Sequence, residues 1–166
     1  MAERYLLLYD LDGALVRLTD TGEKDRRPGT WEAMSQLSGR TNAVQAVVTA
    51  SLDRDAVAEL TKDGAGLGFA RYLDLEIGGY APDSGELAEL VSVARQRATD
   101  SHGDLSVVVV AGPSAETVTR VGEAADVVVA LATPESDPDA LRAAGAKHVL
   151  TNLLELVPLV LDGRVG

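Results

Sequence analysis

The sequence contains no cysteine, only two histidines, and 15 lysines and arginines against 26 acidic residues. Without cysteine there is no disulfide, no thiolate nucleophile and no cysteine metal site, and two histidines leave little for a zinc site. The net charge of −11 argues against a nucleic-acid partner, because binding to a phosphate backbone draws its affinity from clustered basic residues. We therefore expect no nucleic acid among its partners.

Long apolar runs are also missing. The longest, VVVVAG (107–112) and DVVVALAT (126–133), fall far short of the roughly 20 residues that a membrane helix needs. The opening MAERY lacks the basic start and long apolar stretch of a signal peptide. These features predict a cytoplasmic protein with no membrane partner. A chain of 166 residues, 46% of them hydrophobic, favours a single domain over 1–166.

Short β-branched runs alternate with helical patterns along the chain. This alternation predicts an α/β fold with an open, mostly parallel, Rossmann-like sheet between helices. The segment 19–29 is rich in polar residues and is interpreted as a linker. The predicted strands are 4–10, 43–50, 71–79, 105–112, 126–131 and 147–150, and the predicted helices are 28–39, 51–64, 84–99, 114–122, 137–144 and a last one from Asn152.

Chemistry in such folds lies beyond the carboxyl ends of the strands. The first strand ends in Asp10 and Asp12, followed by Gly13, which permits a sharp turn. The two aspartates are interpreted either as turn residues or as a carboxylate nucleophile beside an acid/base that share a divalent cation. At the end of the second strand, Thr49 is a candidate phosphate ligand, and Ser51 is expected to cap the next helix.

These motifs resemble the haloacid dehalogenase superfamily of phosphohydrolases. The resemblance lies in YDLDGAL (9–15) and VVTAS (47–51), and the segments 71–98 and 139–156 resemble phosphoglycolate-phosphatase-like members. It implies a haloacid-dehalogenase-like fold in which Asp10 attacks phosphorus to form an aspartyl-phosphate and Asp12 is the acid/base. It also implies that Thr49, with Ala50 and Gly13, binds the phosphoryl group.

The metal and phosphate sites that the family would supply are each short of a residue here. The resemblance implies Mg²⁺ bound by Asp10, Asp12 and Glu116, but Gly112 stands where the family has its first acidic ligand after the valine-rich strand. The family's lysine is also missing, because no lysine or arginine lies between Tyr72 and Arg95. The resemblance therefore implies Mg²⁺ as the cofactor, at a site that lacks one acidic ligand and the lysine.

A missing cation would leave the two carboxylates to repel each other. At about 4 Å and an effective dielectric constant near 20, the repulsion is about 4 kcal/mol, or roughly three pKa units if it falls on one group. We therefore expect Asp10 and Asp12 to titrate as a coupled pair that retains one proton to a higher pH than usual.

The chain is too short for the cap domain that family members usually carry. The stretches 13–28 and 51–83 have room only for a flap and for one helix with one strand. A capless site is open to solvent, so we expect that it accepts a large substrate, is covered by a protein partner or a second copy of the chain, or works without excluding water. The segment 17–29 is the candidate lid.

Three functions remain open on the sequence alone. The first is a capless Mg²⁺-dependent phosphatase that acts on a phosphorylated small molecule through Asp10 and Asp12. The second is a metal-independent enzyme that uses the same pair for acid/base chemistry on a small organic substrate. The third is a non-catalytic binding domain that has inherited the pair. A receiver domain is a weaker alternative, since neither VVTAS nor DVVVALAT supplies the aspartate and lysine that it needs.

Overall fold

The computed structural model describes residues 4–18, 24–40, 42–62 and 67–166. It contains one five-stranded sheet, a two-stranded hairpin and helices between the strands. The strands are β1 (Tyr5–Asp10), β2 (Val16–Leu18), β3 (Lys24–Arg26), β4 (Ala43–Val48), β5 (Ser106–Ala111), β6 (Val127–Leu131) and β7 (His148–Leu150). The helices are α1 (Thr30–Leu37), α2 (Arg54–Thr61), α3 (Leu87–His102), α4 (Ala115–Gly122), α5 (Pro138–Ala143) and α6 (Leu156–Leu161), with short 3-10 turns at Ala70–Tyr72 and Leu153–Glu155.

The main sheet is parallel throughout, in the order β4-β1-β5-β6-β7. The chain passes from β1 to β4 on one side and then crosses to β5 on the other, so β1 lies between β4 and β5. This arrangement confirms the predicted open, parallel, Rossmann-like α/β fold. A crevice for ligands is expected where the direction of winding changes, which is at the carboxyl end of β1.

Apolar side chains cover both faces of the sheet. In β1, Tyr5, Leu7 and Tyr9 join the core on one face, and Leu6 and Leu8 join the core on the other. Because successive side chains of a strand alternate between faces, a strand covered on both sides must be apolar at nearly every position. This explains the continuous runs LLLY in β1 and VVVV in β5.

Three of the six predicted helices begin at residues whose side chains accept a hydrogen bond from the first turn. Ser114 caps α4, Asp137 caps α5, and Asn152 caps the turn before α6. The prediction that Ser51 caps α2 is wrong. Asp53 caps this helix instead, with its carboxylate 2.7 Å from the amide nitrogen of Ala56.

The predicted strand at 71–79 is also wrong. This segment runs along the edge of β4 and is joined to it by a single parallel bridge, between Val48 and Gly79. Further along the same edge, the amide of Asp74 donates to the carbonyl of Gln45 at 2.8 Å. The 3-10 turn at Ala70–Tyr72 and the turns that follow it prevent continuous backbone pairing with β4. The apolar residues of the segment therefore pack into the core without forming a strand.

The segment interpreted as a linker contains ordered structure. β2 and β3 pair in antiparallel fashion, from Val16 opposite Arg26 to Leu18 opposite Lys24. The hairpin starts directly after the turn Leu11–Leu15 that follows β1, which places it beside the carboxyl ends of the strands. Residues 19–23 of the candidate lid, and Gly64 at the end of the predicted second helix, lie outside the described residues. Among the described residues, none of the helices is long and apolar enough to cross a bilayer.

Candidate functional site

The two aspartates lie where the fold places a ligand crevice. Asp10 is the last residue of β1, and Thr49 follows β4, the strand that pairs with β1 on one side. The chain then turns through Leu11–Leu15, with Gly13 at φ +134°, a backbone conformation that side-chain-bearing residues rarely adopt. This turn directs Asp12 back over the end of the sheet.

Both aspartates line a cleft of about 340 Å³ at the carboxyl ends of β1 and β4. We call it the carboxylate cleft. Its walls come from the ends of β1 and β4, the start of α3 and one face of α4. The residues that line it are Asp10, Asp12, Thr49, Ala50, Ser51, Gly85, Leu87, Thr117 and Arg120. The structure thus brings Asp10, Asp12, Thr49 and Ala50 together, whereas Gly13 lines a neighbouring cleft and contributes the turn.

A chain of hydrogen bonds connects Asp12 to the end of β4. The Ser51 hydroxyl donates to a carboxylate oxygen of Asp12 at 2.9 Å and lies 3.1 Å from the hydroxyl of Thr49. The Ser51 amide also donates to the Thr49 hydroxyl at 3.3 Å. Ser51 is therefore a site residue that holds Asp12 in place. Sequence reasoning missed this role because a serine before a helix is typically a cap.

Among the carboxyl groups that the structure describes, Asp10 has the pKa that departs furthest from its ordinary value. Burial at the end of β1 raises its pKa to about 7, and the nearby negative charge of Asp12 adds to the effect. A raised pKa was expected for one member of the pair, but from repulsion, whereas desolvation is the larger cause. Near neutral pH, Asp10 therefore exchanges a proton readily, as an acid/base group requires.

The positively charged side chain at the site is that of Arg120, which lies on α4, a helix for which the sequence predicted no cation. Arg120 of α4 lines the carboxylate cleft, and its guanidinium donates to Glu116, one helical turn earlier, at 2.6 Å. The two arginines that flank the stretch without lysine or arginine, Arg71 and Arg95, are engaged elsewhere. Arg95 donates to the carbonyl of Ala124 at 2.7 Å, and Arg71 stacks over the ring of Tyr72. In the sequence, Glu116 and Arg120 have the spacing of an ordinary surface ion pair on a helix, so Arg120 gave no separate signal.

The residues present do not fit a three-carboxylate metal site. Among the residues that the structure describes, no three acidic or histidine side chains form a group able to hold an ion. Glu116, the expected third ligand, does not line the cleft and is engaged by Arg120. The expectation that it completes a metal site with Asp10 and Asp12 is therefore not supported.

Gly112 stands where the resembled family has its first acidic ligand, and the neighbouring backbone leaves no room for a side chain at this position. A Cβ atom at Gly112 would lie 2.8 to 2.9 Å from backbone atoms of Gly13, closer than real Cβ contacts come. The turn after β1 thus occupies the space that a side chain after β5 would need. An aspartate at this position requires the turn, and Asp12 with it, to move.

Comparisons with known proteins support the fold. No protein-family model matches the sequence, and no curated protein matches it with significant similarity. Among solved structures, the chain is similar to one described as "Putative beta-phosphoglucomutase from Bacteroides vulgatus", with a TM-score of 0.70 and 13% identity over 99% of this chain and 91% of that one. At this identity the likeness concerns the fold alone. Together with the parallel sheet and its strand order, it shows that this chain has the open, parallel α/β fold of that structure.

Proposed function

We propose that this protein hydrolyses phosphate monoesters through Asp10, and that Arg120 supplies the positive charge that a metal ion and a lysine supply in the family it resembles. The observation that carries the proposal is the joint lining of one cleft by Asp10, Asp12, Thr49 and Arg120 at the carboxyl end of β1. A nucleophile, an acid/base, a hydroxyl donor and a cation are the groups that phosphoryl transfer needs.

The reaction would proceed in two steps with balanced bonds. In the first, a carboxylate oxygen of Asp10 bonds to phosphorus while the ester P–O bond breaks, and Asp12 gives its proton to the departing alcohol oxygen. In the second, Asp12 takes a proton from water as the water oxygen attacks the aspartyl-phosphate, which releases phosphate and restores Asp10. Ser51 keeps the Asp12 carboxyl oriented through both steps.

Charge and burial assign the remaining roles. Thr49 is almost fully buried, so its hydroxyl has a fixed position from which to donate to a phosphoryl oxygen. Arg120 is flexible and exposed, and its planar guanidinium suits two phosphoryl oxygens at once. Binding of phosphate would draw Arg120 away from Glu116 and towards Asp10.

The proton on Asp10 sets the pH dependence. With a pKa of about 7, Asp10 is protonated in much of the free protein at neutral pH and cannot attack phosphorus in that form. Activity therefore requires Asp10 to lose its proton while Asp12 carries one. Once bound phosphate has drawn Arg120 towards Asp10, its positive charge would favour this distribution, because a cation stabilises the ionised form of a carboxyl group.

A second candidate function has a specific observation in its favour. A carboxyl group with a pKa of about 7 beside a second carboxylate is suited to moving protons on a small organic substrate without phosphoryl transfer. This candidate uses Asp10 as the acid and Asp12 as the base. It predicts that the protein turns over no phosphate ester.

Hydrolysis of p-nitrophenyl phosphate in the presence of a chelator tests the proposal. We expect turnover by the wild-type protein and a loss of roughly 1,000-fold or more in Asp10→Asn, because the nucleophile is removed. Asp104→Asn is the matched control, since this exposed aspartate precedes β5 and so lies at the amino ends of the strands, away from the carboxylate cleft. Wild-type turnover no higher than that of Asp10→Asn would reject hydrolysis and favour the acid/base candidate.

A further inference from the structure

The backbone around Thr49 is attached to the segment 78–83, which lies beside β4. The Thr49 amide donates to the carbonyl of Gly79 at 3.0 Å. Three residues after Thr49, the carbonyl of Leu52 accepts a hydrogen bond from the Ala81 amide at 2.9 Å. The stretch that carries the Thr49 hydroxyl is therefore fastened to the 78–83 segment at both of its ends.

The 78–83 segment is packed tightly between β4 and α3. Gly78 and Gly79 are both buried. A Cβ atom at Gly78 would lie 2.8 Å from the carbonyl oxygen of Val47 in β4, and one at Gly79 would lie 2.6 Å from the carbonyl oxygen of Leu90 in α3. Backbone that approaches its neighbours this closely requires residues without a side chain. The two glycines can therefore offer no side chain to hold the segment in place.

An arginine of α3 holds the segment instead. Arg97 donates through Nη1 to the carbonyl of Gly78 at 2.5 Å, and its two terminal nitrogens donate to the two carboxylate oxygens of Asp83 at 3.0 and 2.7 Å. The Asp83 carboxylate also accepts the Tyr80 amide at 3.0 Å. The hydrogen bonds from Arg97 lower the pKa of Asp83, so the carboxylate stays ionised well below neutral pH. Paired bonds of this kind need a planar guanidinium, and here they join both ends of the segment to the helix.

The same segment leads into another wall of the carboxylate cleft. Gly85 and Leu87, which line the cleft, follow soon after Asp83. Arg97 does not line the cleft. The Arg97–Asp83 pair therefore connects Thr49 to the wall at the start of α3 without reaching a group bound in the cleft.

We propose that Arg97, paired with Asp83, is a positioning residue for phosphoryl binding, which it serves by fixing the Thr49 hydroxyl relative to the cleft wall at the start of α3. The inference rests on the proposed function for the role of Thr49. A fixed donor binds more tightly, because a group that must first be ordered loses part of its binding free energy as entropy. Loss of the pair should therefore weaken phosphoryl binding, while Asp10 keeps its place at the end of β1.

A double-mutant cycle with Thr49→Val separates positioning from a general structural effect. The readout is kcat/KM for p-nitrophenyl phosphate, at a temperature at which circular dichroism shows every variant to be folded. We expect Arg97→Gln to lower kcat/KM about tenfold in the wild-type background, mainly through a higher KM. In the Thr49→Val background the loss should be less than about threefold, because the group that Arg97 positions is already gone. Equal losses in the two backgrounds would overturn the inference.

Arg95→Gln is the matched control. Arg95 lies on the same helix and also donates to one carboxylate and one carbonyl, those of Asp126 and Ala124. This substitution should change kcat/KM less than about threefold in either background. A loss as large as that of Arg97→Gln would show a general effect of α3 and would also overturn the inference.

Amide hydrogen exchange in the ligand-free protein tests the same connection without any activity. We expect Arg97→Gln, but not Arg95→Gln, to speed exchange of the Thr49 and Gly79 amides about tenfold or more, while the amides of β5 keep their wild-type rates. Unchanged exchange at both amides would overturn the inference whether or not the protein hydrolyses phosphate. Faster exchange in a protein whose wild type shows no turnover would reject the proposed function but confirm that Arg97 positions Thr49.

Discussion

The raised pKa of Asp10 makes a quantitative prediction about folding stability. An aspartate in the unfolded chain loses its proton near 3.8, and Asp10 in the folded protein loses it near 7. Between these values the folded protein holds a proton that the unfolded chain has released. The stabilisation from this proton is complete below the unfolded pKa and is lost as the pH rises through about 7.

The magnitude follows from the difference of about three pKa units. At 1.36 kcal/mol per unit, the full loss is about 4 kcal/mol, of which about 3 kcal/mol falls between pH 5 and pH 8. Asp10→Asn remains neutral at every pH and avoids the loss. We therefore expect the free energy of unfolding of Asp10→Asn, measured relative to the wild type, to rise by about 3 kcal/mol between pH 5 and pH 8.

Urea denaturation of both proteins at the two pH values measures this change. The single tryptophan, Trp31, reports unfolding, because its ring nitrogen donates to the carbonyl of Gly68 at 2.9 Å and its ring packs edge-on against Tyr72. Other groups that titrate in this range are common to both proteins and cancel. Asp104→Asn is again the control, and a difference between Asp10→Asn and wild type that stays constant within about 0.5 kcal/mol would refute the reasoning.

Three further outcomes are expected. The pH–rate profile of kcat/KM for p-nitrophenyl phosphate should fall above about pH 7, where the pair loses the single proton that the mechanism needs on Asp12, and a profile that keeps rising above pH 7 would contradict these roles of Asp10 and Asp12. Gly112→Ala should lower the free energy of unfolding by about 1–3 kcal/mol in urea, because its Cβ meets the Gly13 backbone, whereas Gly85→Ala, whose Cβ meets nothing, should be tolerated. Arg27→Gln should change the free energy of unfolding by less than about 1 kcal/mol or raise it, because burial and the charge of Arg17 both lower the pKa of this half-buried arginine, and a larger loss in urea denaturation would show that the side chain has a stabilising partner.

The elements that could be predicted from the sequence are those with one dominant local cause. The strands β1 and β5 are continuous apolar runs, and burial on both faces leaves such runs few alternatives. Helices α4 and α5 begin at serine and aspartate caps that the sequence displays. Prediction fails where an apolar pattern that favours a strand occurs in a segment that forms turns. This happens at 71–79, where the apolar residues pack into the core although the backbone forms turns.

The candidate site was predictable only in part for a related reason. Asp10 ends β1, and Asp12 and Thr49 follow directly after β1 and β4, so the topology of the sheet brings them together. Ser51 joins them through a hydrogen bond across 39 positions of sequence, and Arg120 joins them because α4 packs beside the carboxyl end of β1. Neither of these two contacts between distant parts of the chain produces a pattern in the local sequence. The absence of a cap domain stays a prediction, as do Mg²⁺ binding and the partner that would cover the site.

The role of Arg120 is the central claim, and binding of inorganic phosphate tests it most directly. Calorimetry compares the wild type with Arg120→Gln, in chelator and in Mg²⁺, with Arg142→Gln as a control that removes an arginine paired with Asp139 on α5. The account predicts that the wild type binds phosphate in chelator, that Mg²⁺ changes the affinity by less than about threefold, and that Arg120→Gln weakens binding about tenfold or more. Phosphate binding that requires Mg²⁺ and is unchanged in Arg120→Gln would contradict it.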